Sequence, residues 1–437
     1  MNSPIHEPGF SPEEIPSLVL ADPEGNILDH PNLKMAGMSG QTPVVPSPDE
    51  LVPLPFGSTL FFMPGRIPVG WDIRQNRFIP CSDTTSGTDV DHCSAVAAFL
   101  PPGYVRTLLP ARHCREKAPT LPLWAYAAVG WRDNRFWAAG IMVDPNPHWD
   151  PKYFQDDAGL ADLVKKALEE KPKNRLLRHL ARCALEYHCF AAKNCFYRRW
   201  ELPLPTSPGC NAECLGCISL QPASLCPAPH ERIKFVPSVD EICEITIPHL
   251  EYAEDPIASF GQGCEGEPVL QADVIKAAVE GIRSNTSKGI INLNTNGSKP
   301  ETISQLCRSG MESIRVTLNS PDPLIFNAYH RPIGFSLNEI KMSLILAGKA
   351  GASSAINLLV FPGITDREEE RDLLINFIKE TGIDQIQMRN LNIDPDLYLR
   401  AIKTKGERYP LPKWMADLKE VFPQLSFGYF NRAKTGI

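Results

Sequence analysis

The chain has 437 residues, 43% of them hydrophobic, and a formal net charge of −7. That length supports large cores and two or more domains, and the apolar content is that of an ordinary soluble globular protein. No apolar run is long enough to span a bilayer, no signal peptide is evident, and the acidic balance argues against a general nucleic-acid binder. The expected compartment is the cytoplasm, where thiols stay reduced.

Residues 1–56 are rich in Pro, Ser, Asp and Glu with little periodicity, which predicts a mostly disordered lead-in. Residues 57–150 change character. Short apolar or aromatic runs at 58–63, 69–73, 96–100, 121–131 and 135–143 are bounded by Pro, Gly, Asn and Asp, the pattern of a small β-rich accessory domain. Asp133-Asn134 stands where a hairpin turn belongs. Trp71, Trp124, Trp131 and Trp137 could line a substrate groove but are read mainly as packing residues. Cys81, His92-Cys93 and His113-Cys114 also lie here. Neighbours on a strand face opposite ways, so each pair offers one ligand, and buried thiols with surface imidazoles are preferred to a zinc site.

Residues 151–199 are predicted to be a helical connector. Leu160, Val164, Ala167 and Leu168, then Leu176, Leu177, Leu180, Ala184 and Leu185, form apolar stripes at helical period. Cys183, Cys189 and Cys195 are spaced evenly by six. On one continuous helix they would point about 120° apart and could not share a cluster. An auxiliary cluster would need the helix to break, near 191–194.

Next comes the run Cys210-Asn-Ala-Glu-Cys214-Leu-Gly-Cys217. Three thiols at CX3CX2C spacing can hold three irons of a [4Fe–4S] cubane and leave the fourth iron open. A zinc site would need a fourth ligand, Cys226 or His230, at an unfamiliar spacing. From here the sequence alternates strand-like runs with longer helical patterns. The strands are at 200–204, 257–261, 290–294, 314–319, 356–361 and 385–391. Ser238 with Glu241, Ser336 with Glu339 and Thr365 with Glu368 have the spacing of capping boxes. The fold class is therefore α/β: a partial (β/α)6 parallel barrel over 200–405, with the cysteine loop after its first strand. Chemistry in such barrels sits at the C-terminal strand ends. A helix at 413–421 and a strand at 425–429 are assigned to a C-terminal cap, 406–437.

The cysteine run resembles the signature of the radical S-adenosylmethionine (radical SAM) superfamily, although Gly216 stands where that family usually has an aromatic residue. Gly263-Cys-Glu-Gly-Glu-Pro268 looks like the family's GGEP segment. The resemblance covers about 200 to 394. It implies that Cys210, Cys214 and Cys217 hold a [4Fe–4S] cluster whose open iron binds SAM. It implies that Gly266 and Glu267 border the SAM amino group, with glycine letting the main chain come close. Asn294, at the end of the third strand, and Thr317 and Asn319, at the end of the fourth, are the further SAM-side candidates. Arg389 and Asn390, on the sixth, would lie near the adenine.

The implied reaction is reductive cleavage of SAM to a 5′-deoxyadenosyl radical, which abstracts a hydrogen from substrate. The implied partner is an external electron donor of flavodoxin or ferredoxin type. The substrate is not legible, and the β-rich domain leans toward a peptide or other macromolecule. Tyr329, His330, Arg331, Asp394 and Asp396 are candidates for substrate contact. The alternative is a non-catalytic iron–sulfur or zinc scaffold, against which the GGEP-like segment argues.

Overall fold

The computed structural model describes residues 11–81, 93–222, 225–404 and 407–433. Packing divides the chain into two units. One is Met1–Pro145 with Leu359–Leu373 and Met388–Pro423; the other is Asn146–Leu358 with Leu374–Gln387 and Gln424–Ile437.

The first unit is built from short antiparallel strands. They begin with β1 (Ser17–Ala21), β2 (Ile27–Met35), β3 (Gly37–Ser39), β4 (Thr42–Val44) and β5 (Leu51–Pro53). Then come β6 (Thr59–Met63), β7 (Arg66–Asp72), β8 (Arg77–Pro80), β9 (Ser94–Phe99) and β10 (Tyr104–Arg106). The series closes with β11 (Leu109–Pro110), β12 (Arg112–Cys114), β13 (Val129–Arg132) and β14 (Arg135–Met142). The principal sheet runs β10-β14-β13-β1-β2-β7-β12, and β11-β3-β4 forms a small second sheet.

Residues 11–56 are therefore not a disordered lead-in. They supply β1 to β5, and Ile15, Leu18, Val19, Met35 and Leu51 are buried. Composition averaged over fifty residues concealed five-residue apolar strands such as Ser-Leu-Val-Leu-Ala. Residues 1–10 and His92 lie outside the described residues. Asp133 and Asn134 make the expected hairpin turn between β13 and β14, both with positive φ (54° and 58°), as a type I′ turn requires. Trp71 is buried, whereas Trp124 is 40% exposed. Cys81 and Cys93 pack with Leu18, Leu20 and Leu33, and burial pushes the Cys81 thiol up to about 12. These two are core residues.

The returning segments carry charge into this unit. Asp394 caps the helix Pro395–Ile402 and also pairs with Arg66 at 2.8 Å. Asp396 takes Arg66 at 3.1 Å and Arg112 at 2.6 Å. Two guanidinium and two carboxylate groups thus neutralise one another, three of them buried and Asp396 nearly so. Asp394 and Asp396, candidates for substrate contact, are committed to this network.

The second unit opens with α1 (Lys152–Gln155), α2 (Leu160–Glu170), α3 (Arg175–Leu185) and α4 (Phe190–Tyr197). The connector helix breaks at 186–189, where His188 has φ 49°. That is one turn earlier than the sequence suggested. Strands β15 (Arg199–Leu204), β16 (Glu254–Phe260), β17 (Ile290–Thr295), β18 (Ser313–Leu318), β19 (Ser353–Val360), β20 (Gln385–Asn390) and β21 (Ser426–Gly428) then form one sheet in that order. The pairings β15–β16, β16–β17, β17–β18, β18–β19 and β20–β21 are parallel.

This is the partial barrel, with all six predicted strands. The 425–429 segment, assigned to a separate cap, contributes a seventh. Among the crossover helices are α5 (Val239–Tyr252), α6 (Ala272–Asn285), α7 (Pro300–Arg308), α8 (Pro323–His330) and α9 (Leu337–Lys349). The capping boxes at Ser238 and Ser336 are formed. Thr365 instead accepts a hydrogen bond from the Phe361 N–H, three residues ahead of the helix Glu368–Thr381.

Candidate functional site

Cys210, Cys214 and Cys217 lie on the loop that leaves the C-terminal end of β15. Its backbone is laced to the C-terminal end of α8 and the segment after it. Leu215 N–H donates to Tyr329 O (2.8 Å), Glu213 N–H to Arg331 O (3.3 Å) and Ile333 N–H to Asn211 O (2.9 Å). Gln221 Nε2 donates to the carbonyls of Leu215 and Cys217, and Asn296 Nδ2 to Asn211 Oδ1. The loop is thus held by its neighbours before any cofactor is considered. Tyr329 and Arg331 serve it through their carbonyls.

Cys214 Sγ is 3.4 Å from His330 Nδ1; Cys217 Sγ is 3.5 Å from Ser219 Oγ and 3.5 Å from Arg232 Nη2. Burial pushes Cys210 and Cys214 up, so in the free protein both are thiols. Metal binding would deprotonate them. Among the described residues, two sets of ligand atoms close to within 4.8 Å, and this triad is not one of them. A single tetrahedral ion draws its ligands closer than that, to about 3.5–4 Å. A cubane takes each thiolate on a different iron, so three cysteines at wider spacing on one loop fit it.

The Gly263–Pro268 segment packs directly on this loop. Gly266 N–H donates to Ser207 O (2.7 Å) and Glu267 N–H to Gly209 O (2.8 Å). A Cβ on Gly266 would stand 1.9 Å from Gly209 O and 3.1 Å from Cys210 N. The glycine is therefore required by the cysteine loop itself, a closer cause than the SAM contact that the sequence suggested. Two buried glutamates brace the segment. Glu265 accepts from the N–H groups of Thr206, Ser207 and Gln262 at 2.7–2.9 Å. Glu267 accepts from Thr295 Oγ1 (2.6 Å) and Asn296 N–H (2.7 Å). Burial raises both carboxyls to about 7.

The remaining predicted residues are placed as follows. Asn294 donates from Nδ2 to Gly261 O and accepts from Asn292 Nδ2, so its amide ties β17 to the end of β16. Thr317 Oγ1 accepts from Asn357 Nδ2, and Asn319 Nδ2 donates to Ile325 O at the start of α8. Arg389 and Asn390 belong to the first unit. Asn390 uses both ends of its amide on β10, accepting from Arg106 N–H and donating to Tyr104 O.

Cys195 and Cys183 do not converge. Cys195 lines a hollow of about 370 Å³ with Lys166, Leu177 and Glu244, and burial raises its thiol to about 12. Cys183 turns instead toward His179 and Cys264. Its thiol is pulled down, by a hydrogen bond from Cys264 first, with His179 adding to the effect. Burial lowers the pKa of His230, weighed as a ligand for the main triad, and Cys183 works against that shift. Sequence reasoning missed Arg232, Ser219 and Glu265 at the main loop, and Cys264 beside Cys183. Only His179-X3-Cys183, one helical turn apart, carried a readable signal.

Residues 204–378 match the model of the Radical SAM superfamily. Members of that superfamily are enzymes that use a [4Fe–4S] cluster and SAM. No curated protein matches the chain. Solved structures with likeness to it include methylornithine synthase (15% identity, 62% of this chain and 74% of that one, TM-score 0.37). Streptococcus suis SuiB bound to precursor peptide SuiA is another (16% identity, 64% and 61%, TM-score 0.37). A radical SAM methyltransferase from Sphaerobacter thermophilus is a third (12% identity, 52% and 66%, TM-score 0.37). Likeness at this level says nothing about substrate.

Proposed function

We propose that this chain, which carries a radical SAM domain at residues 204–378, binds a [4Fe–4S] cluster on Cys210, Cys214 and Cys217 and SAM beside Gly266 and Glu267. The observation that carries the reading is the cysteine loop at the C-terminal end of β15, joined through Gly209 to the Gly263–Pro268 segment. When bound and reduced, the cluster and SAM supply a 5′-deoxyadenosyl radical that abstracts a hydrogen from an unreactive C–H bond of the substrate.

The chain's own residues hold and orient. His330 and Arg232 each offer a hydrogen bond to a ligating sulfur, the kind of contact that tunes a cluster's potential. Glu267 fixes the strand-end backbone of Asn296 against the Gly266 turn. Asn294, Thr317 and Asn319 belong to the neighbouring strand ends. The reductant is an external flavodoxin- or ferredoxin-like carrier, and the compartment is the cytoplasm. The β-rich unit favours a peptide or other macromolecule as substrate.

Anaerobic reconstitution tests this reading. The protein should show a [4Fe–4S]⁺ EPR signal that changes on adding SAM, and should release 5′-deoxyadenosine when reductant is supplied. Cys214→Ala should abolish both. A spectrum indifferent to SAM, with no 5′-deoxyadenosine, would return the chain to a non-catalytic iron–sulfur scaffold.

A further inference from the structure

His179, Cys183 and Cys264 form a second set of metal-ligand side chains, outside the CX3CX2C loop. His179 and Cys183 stand one turn apart on the same face of α3, with Nε2 and Sγ 3.6 Å apart. Cys264 comes from the turn after β16, two residues ahead of Gly266. All three ligand atoms lie within 4.8 Å of one another. Cys183 is 2% exposed and Cys264 9%.

We propose that these three residues bind a single zinc ion, with the fourth position taken by Cys189 or His230. The spacing is the first argument. Zn–S bonds of about 2.3 Å and Zn–N bonds of about 2.0–2.1 Å place tetrahedral ligand atoms roughly 3.5–4 Å apart. The set needs little movement to close on one ion and is too tight to span a cubane.

Charge is the second argument. Two buried thiolates and a neutral imidazole balance a divalent cation, whereas two buried thiols offer one another only weak hydrogen bonds. Donor type is the third, since soft sulfur with imidazole in a tetrahedral arrangement selects zinc. The fourth position has two candidates close by. Cys189 N–H donates to Cys183 O at 3.0 Å, and His230 stands beside the residue before Cys264, its Cδ2 3.9 Å from where a Cβ on Gly263 would lie.

Such an ion would clamp α3 to the turn that carries Gly266 and Glu267.

The test counts zinc and iron separately by mass spectrometry in the full chain. The samples are the wild type, the Cys210/Cys214/Cys217→Ala variant, Cys183→Ser, Cys264→Ser and His179→Ala. About one zinc per chain is expected in the wild type and in the triple variant. Cys183→Ser and Cys264→Ser should fall to background while still taking up the iron of the main cluster. His179→Ala should lose zinc at least tenfold faster to a chelator.

Because either serine variant could fail to fold, metal-stripped wild type is also titrated with Co(II). Thiolate-to-cobalt charge transfer with tetrahedral ligand-field bands is the expected signature. Zinc at background in wild type with no such bands overturns the proposal. So does zinc that survives in Cys264→Ser, or a further four irons per chain in its place. Zinc retained in the triple variant separates this site from the cluster, whatever becomes of the SAM reading.

Discussion

His330 shows how one side chain can set a property of the cluster. Burial drives its pKa down to about 3, so the ring is neutral. Among the described residues, its enclosed Nε2 has no hydrogen-bond partner. A bare ring nitrogen is cheaper to bury than an N–H, so the proton belongs on Nδ1, which faces Cys214 Sγ at 3.4 Å. That N–H would stabilise the more negative, reduced cluster. His330→Phe should keep the iron and lower the midpoint potential by on the order of 50 mV, the one-electron equivalent of about 1 kcal/mol. A redox titration followed by EPR checks it; an unchanged potential would mean that the contact is only packing.

Gly266 gives a sharper outcome. Because its Cβ would collide with Gly209 O, Gly266→Ala should displace the cysteine loop and lower iron per chain after reconstitution. Full iron with weakened SAM binding would put the glycine back at the methionine. At this scale the sequence revealed the three thiols and the Gly266 turn, because local spacing carries them. It could not reveal His330 at Cys214, 116 residues away, since that pairing is made by the return of α8.

Single elements were legible where periodicity and capping agreed, as at Ser238 and Ser336. They were less so where a short break decided the outcome. The turn at 186–189 sends Cys183 and Cys195 to different places, and no proline or glycine marks it. Glu241 links the connector to the barrel helices. Its carboxylate accepts from Ser238 N–H in the capping box and from Arg175 Nε and Nη2. Arg175 is the main reason its pKa falls to about 2. A carboxyl depressed on folding stabilises above its unfolded pKa of about 4.5 and loses that contribution as pH falls toward about 2. Glu241→Gln should therefore cost about 1–2 kcal/mol at pH 7. In urea titrations the difference from wild type should shrink as pH drops below about 4; a pH-independent difference would assign the loss to the capping hydrogen bonds alone.

For the whole molecule, the sequence made the parallel barrel readable, since strand and helix patterns alternate regularly from 200 onward. It did not reveal that 359–373 and 388–423 belong with the β-rich unit, because that membership rests on pairs such as Arg66 with Asp394. Asp394→Ala would leave Arg66 buried beside half of its counter-charge. It should destabilise the first unit by about 3–5 kcal/mol, seen as an earlier transition in thermal unfolding. A change within 1 kcal/mol would show that Asp396 alone suffices.

The same pair has a consequence in time. Arg66 and Asp394 are 328 residues apart. On a ribosome adding about 5–20 residues per second, the arginine leaves the exit tunnel on the order of 20–60 s before its partner is made. Through that interval the N-terminal strands carry two basic side chains with no acid to receive them. Nascent chains stalled before residue 394 should stay protease-sensitive from β1 to β14, and become resistant once the acidic segment has emerged.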